Sequence, residues 1–205
     1  MSANSHKIIP SNMIMSFKKI VDFVNSLTDS LGEEEKNHSL VLYNHLLSKT
    51  TITHRQAIEK HLSLFKDFCF RNEASIYAKD STKMIQDKVS YSDKVYINIG
   101  DIIRTSDSEI ANQIWNHLLV IYASIDPDSN ARHMLAEMSA QGTGTGTSNE
   151  DNFLNNCIKQ ISSAAQSNGD DLSGSMNEIM SSGLMGNLVT SINQGVKGGQ
   201  LDLGK

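Results

Sequence analysis

The sequence predicts an all-α fold, and three observations lead to this prediction. Three successive stretches within residues 13–72 place apolar side chains at the i, i+3, i+4 spacing that gives one face of a helix. A fourth stretch, after residue 106, is apolar around much of a helical circumference. Before residue 140 the only glycines, residues that weaken helices, are Gly32 and Gly100. We therefore expect a bundle of about five or six helices over residues 10–140.

Apolar faces place the first three helices. We predict helices over 13–31, 34–49 and 54–72, the first of which ends at Gly32, because glycine suits a helical C-cap. Thr53 can cap the third helix. The apolar positions are Phe17, Ile20, Val21, Val24, Leu27 and Leu31, then Leu40, Tyr43, Leu46 and Leu47, then Ile58, Leu62, Phe65, Phe68 and Cys69.

The rest of this region contains one extended stretch and two further helices. Residues 94–100 alternate apolar and polar side chains, but a single short strand would have no sheet to join, so we expect a buried extended connector. Ser106 or Asp107 can cap a helix that ends near Ile125 and lies in the centre of the core. Pro127 disfavours helix at the residue before it and can itself begin a short last helix.

The composition of the chain changes after residue 140. Eleven of the 13 glycines follow it, together with only one of the 12 aromatic residues, Phe153. Residues 141–149 alternate glycine with threonine, which predicts a flexible linker. We expect residues 150–205 to form a weakly structured amphipathic helical tail, because the large side chains that usually dominate a core are scarce there.

Composition excludes several classes of protein. At 39% hydrophobic residues the chain is too apolar to be disordered throughout. Its two cysteines, Cys69 and Cys157, are too few for a disulfide scaffold and lack the spacing of a zinc site, which favours a reducing intracellular setting. No apolar run approaches the roughly 18 residues of a membrane span, and the first residues lack the apolar stretch of a secretory signal. We expect neither a membrane span nor export.

The histidines can be explained without catalysis. His38 and His45 lie seven residues apart, as do His54 and His61, and two helical turns span about 10 Å, too far to share one metal ion. We predict surface or boundary histidines, with a pH-sensitive or metal-bridged helix pair as the alternative. His117 is predicted to be a boundary histidine within the most apolar helix.

Other candidates for chemistry also have structural explanations. Aromatic neighbours predict a buried, inert thiol at Cys69, and the acidic run 33–35 complements a helix dipole. The glycines at 142, 144 and 146 lack the spacing and the following lysine of a phosphate-binding loop. We predict no catalytic, cofactor-binding or metal-ligating residue and no small-molecule substrate.

Nucleic-acid binding is the alternative that the N-terminal half raises. Residues 1–100 carry 13 Lys or Arg and 11 Asp or Glu, whereas residues 101–205 carry 5 and 12. Acidic neighbours such as Asp22, Glu59 and Asp67 dilute a basic face, and the net charge of −5 opposes phosphate contact. The residues available for such binding are Lys18, Lys19, Lys49, Arg55, Lys60, Lys66 and Arg71.

The tail contains an apolar stripe that is typical of protein contacts. Its side chains recur at helical spacing on a segment of low bulk, which can gain order by packing against a partner or by folding back onto its own domain. We predict partner binding or self-association through Met176, Met180, Leu184, Leu188 and Ile192.

A resemblance extends over roughly residues 20–140. It is carried by residues 42–50 (LYNHLLSKT), 65–72 (FKDFCFRN), 91–100 (YSDKVYINIG) and 114–127 (IWNHLLVIYASIDP). These segments are similar to small helical proteins of nucleocytoplasmic large DNA viruses, the giant viruses of algae and protists. The resemblance implies a viral origin and a location in the host cytoplasm, in a virus factory, or in the virion. It implies no activity and no functional residue.

Together these features predict a non-enzymatic viral interaction protein. We expect an assembly, scaffold or virion-associated role that depends on protein–protein contacts. The alternative is an accessory factor in viral transcription or nucleic-acid handling, which would bind through the basic residues of the N-terminal helices.

Overall fold

The computed structural model of the protein describes residues 9–32, 37–140 and 156–161. Helices dominate these residues, which confirms the predicted all-α class. A 3₁₀ turn lies at Ser81–Lys83, and residues 156–161 form a further helical segment. The other elements are α1 (Ser11–Leu31), α2 (His38–Lys49), α3 (Arg55–Arg71), α4 (Glu73–Ala78), β1 (Lys88–Ser90), β2 (Tyr96–Asn98), α5 (Ile99–Thr105), α6 (Ser108–Ile125) and α7 (Asn130–Ala140).

Helix α6 lies at the centre of the described core. It contacts α1, α3, α4, α5 and α7. All six residues from Leu118 to Ala123 are buried, so no polar face remains over that stretch. Beside it, Phe23 of α1 meets Phe65 of α3 edge to face, with ring centroids 6.1 Å apart. The predicted central position of this helix is confirmed.

Two predicted helix caps are confirmed. Helix α1 ends at Gly32, whose φ of 68° lies in the left-handed region that glycine tolerates, and whose N–H donates to the Thr28 carbonyl. Helix α6 begins after Asp107, whose carboxylate accepts a hydrogen bond from the Ile110 N–H at 2.9 Å. These local signals place both helix ends correctly because they need no tertiary partner.

The predicted beginnings of α3 and α7 are wrong. His54, not Thr53, holds the N-cap position of α3, and the Thr53 hydroxyl instead bonds the Thr51 hydroxyl at 2.7 Å. Helix α7 begins at Asn130 and not at Pro127, because a turn intervenes in which Ser129 bonds the Asp126 carbonyl. Side-chain hydrogen bonds within each loop compete with capping. Helix α2 begins at His38, and the predicted positions 34–36 lie outside the described residues.

The predicted unpaired connector over 94–100 is also wrong. Strand β2 pairs antiparallel with β1, with Val89 opposite Ile97 and both side chains buried. The last two residues of the predicted connector belong to α5. The sequence does not reveal this hairpin because Val89 is the only apolar residue of β1, so no alternation of side chains marks the partner strand.

Helices α4 and α5 were not predicted either, since six or seven residues are too few to display a helical period.

A buried asparagine fixes the loop that leads into β1. Asn72, 1% exposed, lies between α3 and α4. Its amide nitrogen donates to the carbonyls of Phe68 (3.1 Å) and Gln86 (2.7 Å), and its oxygen accepts from the N–H groups of Ile85 (2.8 Å) and Gln86 (3.1 Å). All the hydrogen-bonding positions of the amide are used, which holds residues 85 and 86 against the end of α3.

The chain divides into two compact units, Met1–Ala164 and Ala165–Lys205. The second unit, with the predicted apolar stripe, lies outside the described residues, and the proposed boundaries at 140 and 149 remain predictions. Segment 156–161, which the sequence assigned to the tail, belongs to the first unit. Within the described part of the chain, no helix has both the length and the hydropathy of a membrane span.

Replacing Trp115 with alanine should lower the free energy of unfolding by about 3–5 kcal/mol, because the indole is only 3% exposed and its removal leaves a cavity. Chemical denaturation of the full chain measures this change. Phe70→Ala is the matched control, since Phe70 is 64% exposed and its loss should cost less than about 0.5 kcal/mol. Equal losses in the two variants would contradict the described core.

Candidate interaction surface on helix α1

Helix α1 holds the helical segment 156–161 through a buried lysine. The Lys19 side chain is 7% exposed, and its ammonium donates hydrogen bonds to Gln160 Oε1 (2.8 Å) and Cys157 Sγ (3.3 Å). Cys157 and Ile161 lie four positions apart, on one helical face, and both belong to the buried core. We call Lys19 together with Cys157, Gln160 and Ile161 the docking site.

The docking site buries a positive charge against uncharged acceptors. An amide oxygen is a good acceptor for an ammonium group, whereas a thiol sulfur is a weak one. Because both acceptors come from 156–161, separation of the segment from α1 would leave the Lys19 ammonium to water. The Lys19 ammonium therefore stabilises docking only while these two hydrogen bonds are made. Water offers the ammonium competing hydrogen bonds when the segment separates from α1.

Two further charged groups of α1 lie next to Lys19. Burial lowers the pKa of Lys18, an effect that Asp22 opposes and Lys19 adds to. Burial also raises the pKa of Asp22, an effect that both lysines oppose. The pKa of Cys157 is raised by burial, with Lys19 acting in the opposite direction. Cys157 is therefore a neutral thiol at pH 7, and α1 brings two basic side chains, Lys18 and Lys19, and one acidic side chain, Asp22, to this site.

His117 of α6 faces the same side of α1. Its ring centroid lies 5.5 Å from that of Phe23, and burial, followed by the charge of Lys19, lowers the pKa of His117 to about 4. The imidazole is therefore neutral at pH 7. With Leu27 and Ile114 it lines a groove whose cavity volume of about 10 Å³ is about that of one water molecule, far below the roughly 300–1,000 Å³ of pockets that hold drug-sized ligands.

His61 lies within an aromatic cluster between α1, α2, α3 and the β-hairpin. Its Nδ1 is 2.9 Å from the Tyr43 hydroxyl, its ring stacks on Tyr91 with centroids 4.8 Å apart, and Phe17 lies at 5.7 Å. The side chain is 0% exposed, and its Nε2 has no hydrogen-bond partner among the described residues. Burial, with a smaller effect of Lys60, lowers the pKa of His61 to about 4. The arrangement keeps a neutral imidazole in the core.

The predicted surface or boundary position is therefore wrong for His61. His38, His45 and His54 are exposed, as predicted, so neither pair shares a buried face. In the ranges that the structure describes, no cluster of three or more His, Cys, Asp or Glu side chains is placed to hold a metal ion. Cys69 is 0% exposed, and burial raises its pKa, as expected for an inert thiol.

The seven basic residues named for nucleic-acid binding do not form one open face. Lys19 is buried in the docking site, Lys18 is half-buried, and Lys49 is exposed at the end of α2. The four on α3 each contact a neighbouring side chain, which reduces their availability for phosphate. Arg55 contacts Glu59 (2.7 Å), Lys60 lies over the Tyr91 ring (3.8 Å), Lys66 contacts Asp126 (3.4 Å) and Arg71 contacts Asp67 (3.2 Å).

Residues 16–141 match the model of a family described as a family of unknown function (DUF5891). The chain belongs to this family. No curated protein and no solved structure matches the chain.

The family match covers one side of the docking site. Residues 16–141 include Lys19 and His117 and run through the end of α7, whereas segment 156–161 lies beyond the match. The surface of α1 is thus part of the DUF5891 domain, and the segment that covers it belongs to the following part of the chain. Periodicity did not reveal this role of Lys19, because a lysine on the outer face of an amphipathic helix looks solvated until its partner is known.

A second surface feature is a pair of exposed apolar side chains. Phe70 is 64% and Ile85 is 81% exposed, and Asn72 holds the loop of Ile85 to the end of α3. Ile52, in the α2–α3 loop, is 66% exposed. The predicted partner-binding residues Met176, Met180, Leu184, Leu188 and Ile192 lie outside the described residues.

Lys19→Met should increase the rate at which a thiol reagent labels Cys157 by about tenfold, because two hydrogen bonds that hold the segment are lost. Labelling at each cysteine is followed by mass spectrometry of the digested protein. Cys69 reports global unfolding and should keep its rate. Lys49→Met, altered at an exposed lysine of α2, is the control that should leave Cys157 unchanged, and a parallel increase at Cys69 would contradict docking through Lys19.

The buried histidines predict loss of stability in acid. The folded pKa of His61, about 4, lies below its ordinary 6.5, so the unfolded chain binds the proton more readily between these values. The contribution of His61 to the free energy of unfolding is fully present above pH 6.5. It declines by up to about 3 kcal/mol as the pH falls to 4. Denaturation across this range should show a shallower decline in His61→Gln than in wild type. His45→Gln, altered at an exposed histidine, should retain the full decline.

Proposed function

We propose that the protein is a non-enzymatic interaction protein of the assembly or scaffold type, which works through protein–protein contacts. The observation that carries the proposal is the docking of segment 156–161 on α1. This contact combines two buried apolar side chains, Cys157 and Ile161, with hydrogen bonds to Lys19, the combination by which helices commonly recognise grooves in other proteins.

Two further features support this role. The exposed Phe70 and Ile85 provide apolar surface at the end of α3. The stripe from Met176 to Ile192 provides soft apolar side chains that can pack on a partner or on a second copy of the chain. The resemblance of four segments to giant-virus proteins supports a viral setting, in the host cytoplasm or the virion.

Nucleic-acid handling is the alternative proposal. It draws on the basic side chains of α3, of which Lys60, Lys66 and Arg71 are exposed. Their acidic and aromatic neighbours weaken it, since a phosphate would have to compete with the contacts of Lys66 and Arg71 to Asp126 and Asp67.

The assembly role predicts association that depends on the apolar stripe and survives salt. Light scattering after size-exclusion chromatography should give a molar mass for the full chain that rises with concentration, at both low and high salt. Met180→Asp combined with Leu188→Asp should abolish the increase, because a charge cannot be buried in an apolar contact without a partner. Ser175→Asp combined with Ser182→Asp adds the same two charges at polar positions of the tail and should have no effect.

Two outcomes would count against the assembly role. One is a chain of constant molar mass at every concentration. The other is a complex that forms only with added nucleic acid and dissolves in salt, which would favour the alternative proposal.

A further inference from the structure

We propose that the α1 side of the docking site, which contains Lys19, binds an acidic amphipathic helix of a partner protein, and that segment 156–161 occupies this surface in the free chain. This inference rests on the proposed function, because it names the chemistry of the partner that the interaction surface selects.

The contacts of segment 156–161 define the shape of the partner. Cys157 and Ile161 are buried at positions i and i+4, and Gln160, at i+3, supplies the acceptor for Lys19. These three positions share one face of a helix. A partner helix therefore needs a small side chain, an acceptor and a branched apolar side chain at the same spacing.

The charges of α1 define the preferred acceptor. The ammonium of Lys19 is held by an amide oxygen and a thiol sulfur, both uncharged. Lys18 is a second basic side chain beside it, Asp22 is one acidic side chain, and the neutral His117 of α6 adds no charge at pH 7. A carboxylate would add the attraction between opposite charges to the hydrogen bond, which an amide oxygen does not supply. A glutamate at the position of Gln160 would satisfy Lys19 better than the chain's own glutamine.

This difference allows a partner to displace the segment. The segment is covalently joined to α7 through residues 141–155, which raises its effective concentration at the site above that of a separate molecule. A partner in solution must overcome that advantage, and a stronger contact with Lys19 supplies part of the difference. The family match includes Lys19 but ends before the tethered segment, so the match covers the α1 side of the contact and not the segment.

Displacement of the segment can be measured in the full chain. The probes are two synthetic peptides of residues 150–166, both with Cys157→Ala so that they do not react, and one with Gln160→Glu. A bound peptide should expose Cys157 of the chain and speed its labelling, while Cys69 stays unlabelled. The Q160E peptide should act at about tenfold lower concentration than the glutamine peptide. Glutamate and glutamine have similar helix propensities, so this difference reports the charge.

Two variants of the chain assign the preference to Lys19. In Lys19→Met, anisotropy of the fluorescently labelled peptides should show equal affinity for glutamate and glutamine. In Lys49→Met, altered at an exposed lysine of α2 outside the docking site, the preference for glutamate should remain. Equal potency of the two peptides on the wild-type chain, or a preference that survives Lys19→Met, would overturn the proposal.

A variant within the chain tests the preference without a peptide. Full-length Q160E should label at Cys157 about tenfold more slowly than wild type, and Lys19→Met should remove that protection. Unchanged labelling overturns the preference for an acid. Slower labelling combined with peptides that never displace the segment overturns the partner site. The scattering experiment is independent of both, so the assembly role can stand while this inference falls.

Discussion

Complete burial of α6 is the constraint on which the rest of the structure depends. A helix without a polar face over Leu118–Ala123 must be covered on all sides, because each fully buried large apolar side chain contributes about 1.5–3 kcal/mol relative to an exposed one. Helices α1, α3 and α7 provide most of this cover, and the short α4 and α5 complete it. The position of α1 against α6 in turn brings Phe23 beside His117 and places Lys19, on the same side of α1, against segment 156–161.

The docking site is a different kind of contact from the core. In the core, apolar area provides the stabilisation, and Phe23 or Phe65 has no polar group to satisfy. The Lys19 ammonium exchanges hydrogen bonds to water for hydrogen bonds to two uncharged acceptors. The net stabilisation is therefore small, although the bonds require a specific geometry. Such a contact contributes more to the choice of what binds than to how tightly the domain folds. That balance suits a surface whose occupant can be exchanged.

His61 and Asn72 are buried polar side chains whose hydrogen-bonding groups are satisfied to different extents. Both are polar groups inside the fold, and both join the helices to the segment that contains the β-hairpin. Asn72 has all its hydrogen-bonding positions filled, so its contribution does not depend on pH. His61 has one paired nitrogen and one without a described partner, so the fold tolerates it only as a neutral ring. Of these two contacts with the hairpin segment, the one at Asn72 is therefore insensitive to acid and the one at His61 is not.

The sequence by itself determined the helical class, the ends of α1 and α6 and the central place of α6. Periodicity of apolar side chains and the chemistry of Gly32 and Asp107 act within one helix and need no knowledge of distant residues. It also predicted the buried state of Cys69, because apolar neighbours along the helix imply it.

Only the tertiary structure decided the pairing of β1 with β2, the burial of His61 and the role of Lys19. Each depends on a residue distant in sequence: Ile97 covers Val89, Tyr43 and Tyr91 enclose His61, and Gln160 meets Lys19 across a separation of 141 residues. A lysine or a histidine carries the same local signal whether water or protein surrounds it. Its pKa, its exposure and its function are set by the groups that the fold brings to it.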